Sequence, residues 1–337
     1  MGGLDADLAA PMAIRVAATL RLADLMADGP LGVDELAHRC ATDPDAHDLL
    51  RFLVSRGLFV EPRSGVFANN EAVAALLTDH PSGMVSWLDL AGQGRVALAF
   101  TGLLDSVRTG QPAFASVFGA PLWEYLSANP AVGAAFDASM ADVEYKSDAA
   151  ASYDWGRARH VVDVGGGLGA LLAEVLTAHA HLHATLVDLP GPVTRAREYL
   201  AARGVSDRCT CVAQSFFDPL PAAGDTYVLS GVLADFPDER AEAIVGGCVR
   251  AMGEHGRLVI IEHPAADERR RTHMDLLMLV LLGGRDRTLA ELAALAARAG
   301  CQVTTPRTTP LGQTIIECTH QIPEMTTQTI PAIRSVP

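Results

Sequence analysis

The segment Val161-Val162-Asp163-Val164-Gly165-Gly166-Gly167-Leu168-Gly169 constrains the fold of this chain more than any other stretch. An apolar, β-rich run enters a turn crowded with glycine, and a helical pattern follows. Glycine suits such a turn because it takes left-handed backbone angles without strain and lets the main chain approach a ligand closely. Asp188 ends the next apolar run, 25 residues after Asp163. A carboxylate there can accept both hydroxyls of a ribose. The two features mark a nucleoside site outside the carboxyl ends of a parallel sheet. Spacing alone leaves the nucleoside open. Gly165 and Gly167 also fit the start of a dinucleotide fingerprint, with Ala170 in place of its last glycine.

Around this segment, short β-rich runs alternate with helical ones. Strands are expected at His160–Val164, Ala184–Asp188, Cys209–Ala213, Thr226–Ser230 and Arg257–Glu262, followed by 302–305 and Thr314–Cys318 as an antiparallel edge pair. Helices are expected at Gly169–Ala178, Val193–Ala202, Glu239–Met252 and Leu289–Gly300. Such alternation predicts an α/β fold with a mostly parallel sheet covered on both faces. The 337 residues are enough for two domains.

The first part of the chain has a different character. Apolar residues at helical spacing over 5–28 predict one helix, stopped by Gly29-Pro30. A short helix at Val33–Cys40 and another opening at Asp43-Pro44 precede a hairpin, Leu58–Pro62 and Val66–Ala68. Helices and hairpin in this order describe a winged helix. Many winged helices bind DNA, but residues 1–100 hold 13 acidic and 7 basic side chains, and the whole chain carries a formal charge of -14. That sign repels phosphate backbones and anionic lipid, which argues against nucleic acid and membrane surfaces as partners and favours dimerisation. The reading divides the chain into a dimerising unit at 1–100, a helical linker at 101–155 that contributes to a substrate pocket, a sheet domain at 156–320, and a loose Thr- and Pro-rich tail at 321–337.

Six scattered cysteines form no pair with metal spacing, so no metal is expected. Neither a signal peptide nor a long uncharged apolar stretch is evident, and the expected location is cytoplasmic. Lys146 is the only lysine.

Several further motifs occur in order: Asp188-Leu189-Pro190, Ser215-Phe216-Phe217-Asp218-Pro219, Val232-Leu233-Ala234-Asp235-Phe236 and Gly283-Gly284-Arg285-Asp286-Arg287-Thr288. Together with the glycine turn they make the chain, from about residue 5 to 320, resemble the class I S-adenosylmethionine-dependent small-molecule O-methyltransferases. It is most similar to the bacterial branch that modifies naphthoates and aromatic polyketides in secondary metabolism. The resemblance implies a Rossmann-like domain behind an all-helical winged-helix dimerisation domain that forms a homodimer. It implies S-adenosylmethionine as cofactor, S-adenosylhomocysteine as product and a phenolic aromatic substrate. Asp163, Gly165 and Gly167 would hold the methionine part and Asp188 the ribose, with Leu189 also against the cofactor. Ser215, where the family often has an Asp near the adenine amine, and Phe216, against the ring, would meet the adenine, with Phe217 also at the cofactor. Ser230 stands where the family often has a lysine for the cofactor carboxylate. Phe136, Met140, Met278 and Trp123 match positions that line the acceptor pocket.

One departure concerns the chemistry itself. The family usually has a general-base histidine where this chain has Ala234, beside a retained Asp235. Glu262 and Asp286 match supporting acids, and His263 and His273 are nearby imidazoles. The resemblance therefore implies methyl transfer with another group assisting proton loss. It also leaves room for a relative that keeps the cofactor but hydroxylates, decarboxylates or cyclises, or for a catalytically inert partner subunit.

Overall fold

A computed structural model describes residues 8–43, 48–141, 143–267, 272–304 and 306–320. The expected tail at 321–337 lies outside these residues, as does Pro44 at the expected start of the third N-terminal helix; the helix itself is seen over Asp48–Ser55. Eleven strands occur among the described residues: β1 (Leu31–Gly32), β2 (Val60–Arg63), β3 (Val66–Ala68), β4 (His160–Val164), β5 (His183–Asp188), β6 (Cys209–Ala213), β7 (Thr226–Ser230), β8 (Arg257–Glu262), β9 (Cys301–Val303), β10 (Arg307–Thr308) and β11 (Thr314–His320).

The long helix expected over 5–28 is broken. Ala9–Thr19 ends at Leu20, Arg21 takes a left-handed φ of 54°, and Leu22–Leu25 resumes in a new direction. The break lets Leu22, Ala23 and Met26 join Ala17 and Ala18 in one apolar cluster with Leu36, Leu53 and Phe67. Arg21 itself turns outward to Asp89, 2.7 Å away. The wing is a three-stranded sheet in the order β1-β3-β2, since Leu31–Gly32 adds to the expected hairpin. Among the described residues no helix is long and apolar enough to cross a membrane.

The large sheet runs β10-β11-β8-β7-β4-β5-β6, with β9 pairing on β11. The pairs from β8 to β6 are parallel, and β11 lies antiparallel to β8. The strands of this parallel core are rich in β-branched residues because both faces are covered. Alternation assigns the faces. Val162, Val164, Leu229 and Ile260 pack under the helices Asp238–Met252 and Leu289–Arg298. Val161, Leu186, Val228 and Ile261 pack under Ala170–Ala178 and Pro190–Ala202. Strand order reverses at β4, which has β5 and β6 on one side and β7 and β8 on the other. The crevice for a ligand therefore opens at the carboxyl ends of β4 and β7.

Candidate active site

The glycine turn begins at the end of β4. Gly165, Gly167 and Gly169 all have positive φ, at 76°, 58° and 78°. A Cβ on Gly165 would stand 2.9 Å from Val232, and one on Gly166 would stand 2.8 Å from the Asp163 carboxylate. The turn is thus closed to side chains on its packed side. Asp163 is buried, and the loss of water pushes its carboxyl up to about 7 although Lys146 pulls the other way. Asp188, at the end of β5, accepts hydrogen bonds from Gly167 N–H at 2.8 Å and Leu189 N–H at 2.7 Å. Its carboxyl is also raised, by burial. Each oxygen keeps a second lone pair, so the carboxylate fixes the turn and still faces the crevice as an acceptor.

After β6 the chain turns at Ser215, whose hydroxyl accepts from Phe217 N–H at 3.2 Å. Phe216, Phe217 and Phe236 form a three-ring cluster, with the Arg240 guanidinium 4.2 Å from the centre of the Phe217 ring. The Phe216 edge lies 3.5 Å from the Cβ position of Gly165, which places this ring beside the glycine turn. Ser230 is buried at the end of β7, and Lys146 donates to its hydroxyl at 2.9 Å.

The segment around Ala234 is held from three sides. Glu262, buried at the end of β8, accepts from Val232 N–H at 3.1 Å and Leu233 N–H at 2.8 Å. The buried Arg287 donates to the carbonyls of Leu233 and Phe236 and pairs with Asp238. Gly284 packs so closely that a Cβ there would overlap the Ala234 carbonyl oxygen. Burial pushes Glu262 up to about 7, and burial with the charge of Glu262 pushes Asp235 up to about 8. Ala234, Glu262, His263, Asp286, Arg287 and Leu292 line a small cleft at this point. His263 faces Tyr145 edge-on, with ring centres 5.1 Å apart. Burial lowers its pKa, opposed by the negative charge of Asp286. The arginines beside Asp286 are engaged elsewhere: Arg285 pairs with Asp238 and Glu291, and Arg287 with Asp238.

Phe136, Trp123 and Met278 share one apolar cluster formed by the helices Pro130–Met140 and His273–Leu281 with the 93–102 segment. Trp123 stands edge-on to Phe136, with ring centres 5.9 Å apart. Met140 ends its helix with 41% of its surface exposed, and His273 is exposed at the start of the other helix. The positions expected from sequence thus fall into a glycine and carboxylate group, an acid and imidazole cleft, and an apolar wall. Sequence reasoning missed Lys146, Tyr145 and Arg287. The isolation of Lys146 as the only lysine was the available signal. A larger hollow lies at the opposite ends of the strands, lined by Arg157, Asp225 and Arg257 among others, and contains none of the expected site residues.

Residues 100–302 match the model of the O-methyltransferase domain, and residues 6–79 match the O-methyltransferase dimerisation domain. This chain belongs to the O-methyltransferase family. It is 46% identical over 303 residues to the 2,7-dihydroxy-5-methyl-1-naphthoate 7-O-methyltransferase of Streptomyces carzinostaticus, covering 88% of this chain and 91% of that one. It is 43% identical over 332 residues to the aclacinomycin 10-hydroxylase of Streptomyces purpurascens, covering 95% and 88% of the two chains. Among solved structures it is similar to an O-methyltransferase from neocarzinostatin biosynthesis bound to S-adenosylmethionine and 2-hydroxy-5-methyl naphthoic acid. That match has a TM-score of 0.90 and 43% identity, with 95% of this chain and 99% of that chain covered.

Proposed function

We propose that this chain is an S-adenosylmethionine-dependent O-methyltransferase acting on a hydroxylated aromatic ring of the naphthoate or polyketide type, as a homodimer joined through its N-terminal domain. The observation that carries the reading is the assembly at the strand ends. A glycine turn closed to side chains on its packed side is flanked by the carboxyls of Asp163 and Asp188, with the Phe216 ring beside it. The residues fit the cofactor. Asp163, Gly165 and Gly167 would hold its methionine part, Asp188 and Leu189 its ribose, and Ser215, Phe216 and Phe217 its adenine. When bound, S-adenosylmethionine supplies an electrophilic methyl group on a positively charged sulfur.

The chain's own residues supply position and charge. Phe136, Trp123, Met140 and Met278 offer flat apolar surface to an aromatic acceptor. Holding the acceptor oxygen in line with the methyl group accounts for most of the acceleration such a displacement needs. No imidazole stands at Ala234 to take the proton. Glu262 chiefly shapes the Val232–Asp235 turn through its two backbone bonds. Asp286 and His263, which line the same cleft as Ala234, remain to receive the proton, directly or through water, whereas Asp235, raised to about 8, holds its own. The reading therefore favours acceptors whose hydroxyl is already acidic. Across a series of substituted hydroxynaphthoic acids, kcat/KM should rise steeply as the hydroxyl pKa falls, and the slope should flatten in Ala234→His. A slope that is flat in the parent chain contradicts this account of proton loss.

A second reading rests on Ala234 and on the 43% identity to a hydroxylase. In it the same pocket holds cofactor and aromatic ring, but the methyl group is not transferred. The amount of S-adenosylhomocysteine formed per altered aromatic separates the two: one for one in methyl transfer, none in the alternative.

A further inference from the structure

We propose that Asp137 and Arg195 form a positioning pair that sets the acceptor wall against the ribose end of the cofactor site; the inference rests on the reading of the strand ends as cofactor and acceptor site. Arg195 Nε donates to Asp137 Oδ2 at 2.8 Å, and Nη2 donates to the same oxygen. The two residues are 58 positions apart and lie on two different helices. Asp137 belongs to Pro130–Met140, next to Phe136 and one turn before Met140, both wall residues. Successive residues of a helix point about 100° apart, so Phe136 enters the apolar cluster while Asp137 turns to the neighbouring helix. Arg195 belongs to Pro190–Ala202, which has Leu189 as its N-cap and so starts directly after Asp188. The pair therefore joins the element that carries the acceptor wall to the element that leaves the ribose carboxylate.

Local sequence makes room for this contact. Each helix has a glycine four residues before its paired residue, Gly133 before Asp137 and Gly191 before Arg195. Helical side chains lean back over the preceding turn. A Cβ on Gly133 would stand 3.8 Å from Arg195 Nη2, and one on Gly191 would stand 3.5 Å from it. The guanidinium thus passes over both glycines to a carboxylate whose residue is only 8% exposed. Burial raises the Asp137 carboxyl and Arg195 opposes the rise. A buried carboxylate deprived of its partner is strongly unfavourable, so the two helices are held together at this point. Both charges also reach Asp188, where Asp137 acts to raise the carboxyl and Arg195 to lower it. Arg195 is the shared counter-ion of the acceptor helix and the ribose carboxylate. It favours the ionised Asp188 that accepts ribose hydroxyls, and its two-pronged hold fixes the wall relative to the ribose. A misplacement of about 1 Å far from the reacting atoms can cost about 10²-fold in rate.

Three full-length variants separate the charge from the hold. S-adenosylhomocysteine is titrated calorimetrically into each, and turnover of a hydroxynaphthoic acid is measured with cofactor and acceptor saturating. Arg195→Met leaves the charge of Asp137 unopposed beside Asp188, so affinity for S-adenosylhomocysteine should fall about tenfold and kcat by about tenfold or more. Asp137→Asn removes that charge and keeps the shape, so affinity should hold or rise while kcat falls. Arg195→Lys keeps a charge beside Asp188 without the two-pronged hold. Its affinity should stay within about threefold of the parent while kcat falls, and it guards against misfolding of the methionine variant. A contact that merely stabilises the fold would lower the melting temperature of all three and leave the kcat of the folded protein unchanged. That result overturns the proposal, and so do equal losses of affinity in Arg195→Met and Asp137→Asn. A parent protein that binds no S-adenosylhomocysteine, or turns over no hydroxynaphthoic acid, overturns instead the reading beneath it.

Discussion

At position 234 a methyl side chain faces Glu262, His263, Asp286 and Arg287 across a small cleft. A general base contributes roughly 10²–10⁴-fold to proton-transfer steps. Introducing one by Ala234→His should raise kcat/KM for a weakly acidic phenol by about 10²-fold and change it little for an acidified one. Steady-state kinetics on the two acceptors would check this. Three carboxyls raised by the fold give a second prediction. Asp163 and Glu262 are raised to about 7 and Asp235 to about 8. Above about pH 4 the unfolded chain ionises these groups while the folded chain keeps their protons, so stability without ligand falls as pH rises toward 8. A bound positive sulfur favours the ionised carboxylates. S-adenosylmethionine should therefore bind with proton release and gain affinity from pH 6 to about 8, and S-adenosylhomocysteine, lacking that charge, should gain less. Calorimetry in buffers of different ionisation enthalpy reads the protons directly; equal behaviour of the two ligands would refute the assignment. The identities of these residues were legible in the sequence. The location of Lys146 was not, because its partner Ser230 is 84 positions away and only the packing of a helix on the sheet brings them together.

The parallel strands of the sheet domain and the four expected helices could be read almost to the residue, since each has a distinct period, but the helix His273–Leu281 and the short strand β10 were not anticipated. The helix over 5–28 was misread because its apolar residues continue through Arg21, and nothing local in the sequence signals a left-handed turn at an arginine. The device that holds the Ala234 segment was also hidden. Arg287 reaches the carbonyls of Leu233 and Phe236 from more than fifty positions away. Arg287→Met removes the donor to the buried Phe236 carbonyl and one of the two donors to that of Leu233, which also accepts from Phe236 N–H, and should lower stability by about 1–3 kcal/mol, with kcat falling because the turn loosens. Arg287→Lys should recover only part of this, since a single ammonium cannot span both carbonyls and Asp238. Denaturant unfolding and turnover of the two variants measure the effect, and full recovery by lysine would contradict the clamp.

On the scale of the whole molecule, a charge of -14 disfavours contact with polyanions. Leu8 and Met12, at the start of the first helix within the matched dimerisation domain, are 80% and 38% exposed. Exposed apolar residues on such a domain are expected to face a second copy. Leu8→Glu with Met12→Glu should shift the protein from dimer to monomer in sedimentation velocity, and an unchanged dimer would move the interface elsewhere. The parallel sheet and the glycine turn depend on local sequence pattern and were therefore readable in advance. The fate of the methyl group depends on a pocket assembled from distant helices. The most direct test of the account is a single turnover with trideuteromethyl S-adenosylmethionine and a hydroxynaphthoic acid, followed by mass spectrometry of both products. The account predicts an aromatic ether carrying the label and an equal amount of S-adenosylhomocysteine. An altered, unlabelled aromatic beside intact cofactor would contradict it.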